Sequence, residues 1–169
     1  MVHQVSWGGK PMQKPPSRFA KIFGIGPIGL FVSLLLFALT LLLSRRFDTL
    51  KISDNQPLLT VIFVITSLIS AVLIVWSVKS LPTAERGNHL HTSGAYKYVR
   101  HPLYASFLWV FDFGLALFLN SYLFVFWALL LHPIWHLLVR YEERLMVTTF
   151  QNQYLEYQKK TGRFFPKIF

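Results

Sequence analysis

The chain contains no cysteine among its 169 residues, which excludes disulfides and thiolate-held metals at once. Acidic side chains are scarce: 7 Asp and Glu stand against 17 Lys and Arg, a net charge of +10, and charged residues of both signs make up only 14% of the chain. GxxxxGK[ST] does not occur, so the P-loop turn that brings backbone N–H groups to a phosphate-rich cofactor is missing. No nucleophile elbow is present for Ser/His/Asp chemistry. Internal repeats and low-complexity tracts are absent as well. The first apolar run lacks a closing small-residue cleavage pattern and is long for a signal h-region, while Pro11, Pro15 and Pro16 break any earlier helix. It reads as a retained membrane span rather than a leader.

What the chain has is apolar length, with 53% hydrophobic residues. Ile22 to Ser44 is uncharged for 23 residues and Pro57 to Val78 for 22, each beyond the ~20 residues a helix needs to cross a bilayer core. Leu103 to Val139 gives 37 residues with one formal charge, Asp112. That is too long for one pass and enough for two short ones, 103–119 and 122–139, turned at Asn120-Ser121. The reading is an all-α integral membrane protein in a single membrane domain. It has four transmembrane helices (22–44, 57–78, 103–119 and 122–139), the last two forming a hairpin. Polar segments at 1–21, 79–102 and 140–169 complete it.

Lys and Arg orient the spans. Four precede the first span, four lie between the second and third, six follow the fourth, and three (Arg45, Arg46, Lys51) occupy the remaining loop. The first three groups share a side and hold 14 of the 17, so that side, with both termini, is expected to be cytoplasmic. The excess of cations is accordingly assigned to lipid headgroups and not to nucleic acid. One consequence bears on function, because segment 79–102 and the C-terminal tail are free to meet. The tail is expected to form an amphipathic helix, with Met146, Phe150, Tyr154 and Tyr157 along one face and Gly162 and Pro166 ending it.

Ionisable groups within apolar spans are functional candidates. Asp112 is one, against the alternative of a hydrogen-bonded structural carboxyl. His132 and His136 share a helix face, but Pro133 stands where a zincin would carry glutamate, so no metal site is expected. They are read as lining a polar cavity or nearing the interface, with Pro133 kinking the helix. Arg140, Glu142, Glu143 and Arg144 follow the fourth span as either a solvated cap or part of a site. They emerge on the same side as G-A-Y-K-Y-V-R-H-P-L-Y, Gly94 to Tyr104. Carboxylates beside histidine and tyrosine suit a cationic, aromatic, partly polar cofactor, since ring faces attract cations.

The block H-T-S-G-A-Y-K-Y-V-R-H-P-L-Y, a hydrophobic hairpin, then Y-E-E-R-L-M-V-T-T-F-Q-N-Q-Y-L-E-Y-Q-K-K-T-G-R-F-F-P resembles the isoprenylcysteine carboxyl methyltransferases and their relatives among phospholipid methyltransferases. The likeness runs from about Asn88 to Pro166. It implies an integral membrane methyltransferase that uses S-adenosylmethionine and takes a lipophilic or lipid acceptor from the bilayer. By position, cofactor contacts would fall on Asn88, His89, Leu90, His91, Tyr96, His101, Pro102, Leu103, Tyr104 and Glu142, with Glu143 structural. Pro102 would set the loop-to-helix junction, and Lys97 and Arg100 would face headgroups.

Two departures qualify the likeness. Ser106 replaces a customary glycine, and Leu138 stands where the carboxyl methyltransferases place a substrate-binding arginine, which disfavours an isoprenylcysteine carboxylate. If the acceptor needs a base, the candidates are His101, Asp112 and His136, while Arg140 is the nearest cation to the missing arginine. Rival readings are an NADPH-dependent reductase of the sterol-reductase type, whose members share R-H-P-x-Y but have many more spans, and a non-catalytic membrane binding or scaffold protein.

Overall fold

The computed structural model describes residues 24–46, 50–82, 85 and 88–167. Four helices account for most of them: α1 (Gly26–Ser44), α2 (Gln56–Ser80), α3 (Pro102–Phe118) and α4 (Tyr122–Lys160). Among the described residues there are no β-strands, only two isolated bridges. α1, α2 and α4 are long and apolar enough to cross a membrane. α3, at 17 residues, spans about 26 Å at 1.5 Å per residue, a little short of a typical hydrocarbon core.

Local chemistry starts each helix. Pro27 and Pro57 sit in the first turns of α1 and α2, where a missing N–H removes no intrahelical bond. Asn55 caps α2, its side chain accepting from the Leu58 N–H at 3.1 Å. α1 exposes Phe31, Leu34, Leu35, Leu39 and Leu42, and α2 exposes Val61, Val64, Leu68 and Val72. Helices apolar on nearly every face are stable only where lipid is the solvent. Their hydroxyls turn inward: Ser33 and Thr40 donate to the carbonyls of Gly29 and Leu36, both at 2.8 Å.

The core is a stripe on α4, comprising Phe124, Trp127, Ala128, Leu131, Trp135 and Val139, packed on Leu108 and Ala116 of α3 and on Leu36 and Phe37 of α1. Trp127 Nε1 donates to the Ser33 carbonyl at 3.3 Å and Trp135 Nε1 to the Ser33 hydroxyl at 3.0 Å, so one serine pins α1 to α4. α2 packs on α3. Ser70 there donates to the Ser106 carbonyl at 3.2 Å, and the Ser106 hydroxyl turns back to the Leu103 carbonyl at 2.7 Å. The serine in the glycine's place therefore hides its own hydroxyl inside the contact. From Ser106 to Phe111 the backbone widens into a π-helical segment.

The turn between α3 and α4 uses Asn120 in a left-handed conformation, φ 54°. Its amide oxygen accepts from the Ile52 and Ser53 N–H groups at 3.1 and 3.0 Å, and the Tyr122 N–H donates to the Leu50 carbonyl at 2.9 Å. Both short connections thus lie together at one end. The α2–α3 loop and the chain after α4 lie together at the other.

Two expectations about α4 are corrected. The tail helix does not start at 140: α4 runs on past Val139 through the charge cluster to a kink at Gln151 and resumes beyond it to Lys160, and residues 161–167 are not helical. Nothing between Val139 and Lys160 is a glycine or a proline, so the charge cluster marks where the apolar stretch stops and not where the helix stops. Nor is Pro133 the irregular point, because the non-helical dihedrals fall at Gln151, φ 49°, ψ −126°. The expected 1–21 segment lies outside the described residues.

At Gly114 an added Cβ would stand 1.9 Å from Thr66 Oγ1, so α2 and α3 touch there only because the side chain is missing. Gly114→Leu is expected to cost about 1–3 kcal/mol by forcing the helices apart, read as a lowered thermal unfolding midpoint in detergent.

Candidate functional site

The polar end is assembled around the loop before α3. The Ala95 N–H donates to Ser80 Oγ at 3.0 Å, fastening the loop to the end of α2. The Tyr157 hydroxyl then donates to the Tyr96 carbonyl at 2.5 Å. Next, Arg100 and His101 donate their backbone N–H groups to the carbonyls of Gly162 and Arg163 at 2.9 and 3.1 Å. The loop and the tail meet, as the charge distribution implied.

Glu143 is what they meet over. It is buried, 4% exposed, and its carboxylate takes Arg100 Nε at 2.8 Å on one oxygen and the Arg163 guanidinium on the other, Nη2 at 2.5 Å and Nε at 3.1 Å. His101 Nε2 stands 3.5 Å from the first oxygen. Arg100 also donates to the carbonyls of Gln158 and Thr161. Arg163 reaches on to His136, with Nη1 2.9 Å from Nδ1. Arg100 therefore does not face headgroups as expected. Its guanidinium is committed inward, whereas Lys97 is exposed.

Burial alone would raise the Glu143 carboxyl, but the nearby His101 ring and the hydrogen bonds from Arg163 and Arg100 outweigh it and hold it well below the usual carboxylate range. Glu142, the preceding residue, faces elsewhere. It is half-buried, and one oxygen, Oε2, accepts from the Tyr104 hydroxyl at 3.3 Å and from the Ile25 N–H at 3.4 Å. Both bonds are long for their type, and Oε1 accepts none among the described residues. The two glutamates differ in kind: Glu143 has its acceptor capacity filled, and Glu142 has capacity to spare.

Tyr104, which reaches Glu142, belongs to a group of packed rings. Tyr104 stacks almost parallel on His101, centroids 5.7 Å apart and 8° between planes, and tilts on Trp135 at 4.8 Å. Phe164 sets its edge on His101 at 6.1 Å and on His136 at 4.8 Å. His101 is buried, and its Nε2 makes no well-formed hydrogen bond. A partly desolvated carboxylate with open lone pairs, bonded to a tyrosine that packs on His101 and Trp135, can hold an organic cation.

The structure distributes the remaining candidates. Pro102 opens α3 and is buried, while Leu103 is half-buried. His91 pairs locally, its Nε2 2.9 Å from Glu85 Oε2. Asn88 and His89 are exposed, and Leu90 is half-buried. Asp112 lies eight residues beyond Tyr104, about 12 Å further along α3, without a hydrogen bond or ion pair among the described residues. His132 packs on Trp109, ring centroids 3.7 Å apart and planes tilted by 33°, not in a polar cavity, and His136 turns to Arg163. The two histidines do not converge, and among the described residues no group of three or more potential metal ligands occurs. Arg140 is exposed, and Leu138 packs on the core.

Sequence reasoning missed three contributors. Gly24 and Ile25 precede a helix that looked generic, although G-I-G-P-I-G, Gly24 to Gly29, packs three glycines into six residues and so carried a signal. Arg163 registered only as one cation of the tail.

Replacing Glu143 by glutamine leaves two guanidinium groups without their counter-charge, and Glu143→Gln is expected to cost about 3–5 kcal/mol. The pH dependence follows from the depressed carboxyl. Its stabilisation is complete above its ordinary value of 4.5 and is lost as pH falls toward the folded-state value. The wild-type thermal midpoint in detergent should therefore drop between about pH 5 and pH 3, and in Glu143→Gln that acid limb should be shallower.

Comparison with known families gives one match: the family described as phospholipid methyltransferase covers residues 55–153. That region holds α2, α3, the loop between them and α4 through both glutamates. α1 and Arg163 lie outside it. The match gives no support to the reductase or non-catalytic readings. No curated protein and no solved structure matches the chain.

Proposed function

The chain belongs to the phospholipid methyltransferase family, and on that premise we propose that it transfers a methyl group from S-adenosylmethionine to a lipophilic acceptor drawn from the bilayer. The observation that carries the reading is the pairing of an open carboxylate, Glu142, with the His101–Tyr104 stack at the end of α3. The residues present fit the cofactor. Glu142 would balance its ammonium or sulfonium charge, Tyr104 and Trp135 offer ring faces, and the buried His101 Nε2 still lacks a full hydrogen-bond partner. Tyr96, Pro102 and Leu103 would complete the wall, with Asn88, His89, Leu90 and His91 at its rim.

When bound, the cofactor supplies an activated methyl group on a sulfonium, a leaving group that needs no acid. The work left to the protein is to align the acceptor and keep water out, so positioning supplies most of the rate. The Glu143 ion cluster serves this by fixing the His101 backbone and the loop behind it. Tyr104 serves it by donating to Glu142 while stacking on His101.

An apolar cavity of about 250 Å³ lies between α2, α3 and the tail, lined by Leu73, Trp76, Ala105, Trp109, Phe164 and Phe165 among others. Its size and lining suit a hydrocarbon chain. Buried Phe164 stands between this cavity and His101, so a chain held there would lie one ring away from the proposed cofactor. Leu138 offers no charge to an acceptor carboxylate, and Arg163 is engaged by Glu143. An uncharged nucleophile such as an amine in its free form fits better, and such an acceptor needs no strong base. In this reading α3 completes a four-span bundle as a short hairpin with α4. In the same reading the loop and tail, with both termini, face the cytosol, which the cation bias supports.

Titration calorimetry in nanodiscs should show S-adenosylmethionine bound by the wild type and bound at least ~10-fold more weakly by Glu142→Ala, a loss of about 1.4 kcal/mol. Incubation with methyl-labelled cofactor and a lipid extract should label an organic-soluble product. A wild type that neither binds the cofactor nor labels any lipid would refute the proposal.

A further inference from the structure

The leading turn of α1 lies against Glu142, although the residues on either side of the contact are 117 apart in sequence. Ile25 is buried, 9% exposed, and gives its N–H to Glu142 Oε2, the same oxygen that takes the Tyr104 hydroxyl. Two donors, both at long distance, steer Oε2 and leave Oε1 as the face without a donor among the described residues. Gly24 lies beside that face. A Cβ at Gly24 would stand 2.9 Å from Oε1 and 3.0 Å from both Cδ and Oε2, closer than van der Waals contact allows, so it would cover the carboxylate as a whole, Oε1 included. Gly24 also has a φ of +56°, a left-handed backbone that favours glycine.

The turn is held in place independently of Glu142. Ser33, two helical turns further on, takes indole N–H groups from both Trp127 and Trp135 of α4. Gly26 lies against the Tyr104 hydroxyl, an added Cβ falling at 3.4 Å. The contact therefore belongs to a docked helix with three attachments to the α3–α4 pair, and it lies outside the region that the family match covers.

We infer that Gly24 and Ile25 are positioning residues of the cofactor site. The Ile25 N–H orients the Glu142 carboxylate, and the missing side chain at Gly24 keeps Oε1 open to a cationic ligand. The inference rests on the methyltransferase reading, since the ligand is the S-adenosylmethionine ammonium or sulfonium. It assigns part of the site to α1, which the family match leaves out.

The test is a double-mutant cycle read by titration calorimetry with S-adenosylmethionine on the full chain in nanodiscs. Gly24→Ala strains the backbone and covers Oε1. Gly24→Asn covers it too, but asparagine tolerates the left-handed backbone, so it separates strain from obstruction. Both are expected to weaken binding ~10-fold, and Glu142→Gln to do likewise. Because Gly24 acts through Glu142, Gly24→Asn combined with Glu142→Gln should bind no more weakly than Glu142→Gln alone. A merely structural glycine would give additive losses, which would overturn the inference. So would wild-type affinity in Gly24→Asn alongside a weakened Glu142→Gln, an outcome that leaves the methyltransferase reading standing. Absence of binding in the wild type would overturn both.

Discussion

A single carboxylate, Glu143, joins the three parts of the polar end: the α2–α3 loop through Arg100, the tail through Arg163, and α4, which carries it. Burying three ionised groups together is favourable only when the charges are satisfied at hydrogen-bond distance, because the desolvation cost otherwise exceeds the Coulombic gain. Here each carboxylate oxygen takes a guanidinium, and the spare donors continue to the Gln158, Thr161 and His136 carbonyls and to His136 Nδ1. The backbone pairing of Arg100 and His101 with Gly162 and Arg163 comes from the same residues, so ionic and main-chain contacts reinforce one another. The consequence for function is rigidity. His101 and the first turn of α3 are set by a buried cluster on one side while the Tyr104 hydroxyl reaches Glu142 on the other.

The apolar half of the molecule was legible in the sequence because membrane spans are a matter of uninterrupted hydropathy, which needs no tertiary information. Asn120-Ser121 was legible as a turn for a local reason: asparagine accepts a left-handed backbone and bonds to nearby N–H groups. The far end of α4 was not, because the charge that ends a hydrophobic run does not end a helix. Arg140 through Lys160 are mostly good helix formers, and the helix leaves the apolar layer, runs on to the kink at Gln151 and resumes beyond it. Gln151 carries no breaker signature, and its irregular dihedrals could not be read from its neighbours.

For the candidate site the division follows distance along the chain. His101, Tyr104 and Glu142 stood out because each belongs to a compact, recognisable block. Arg163 meets Glu143 across 20 residues, and Ile25 meets Glu142 across 117. Contacts of that kind depend on how helices dock. Arg100 was misjudged for a related reason: a cation beside a membrane usually seeks headgroups, and only the placement of a buried carboxylate beneath it reverses the preference.

The consecutive glutamates show how an α-helix separates two roles without separating two residues. Neighbours on a helix point about 100° apart, so Glu142 and Glu143 leave α4 toward different partners. Glu143 meets arginines and is held ionised. Glu142 meets a hydroxyl, a single backbone N–H and a glycine, which steer it without neutralising it. Had α1 presented a second cation there, Glu142 would be another structural ion pair with nothing to offer a ligand. The weakness of its contacts leaves its charge unspent, and a carboxylate can stay in that state beside a membrane only because it is half-exposed and backed by the ordered cluster one residue on. Satisfaction of Glu143 and incompleteness of Glu142 are therefore linked requirements: the first supplies the scaffold, and the second leaves a place for a cation.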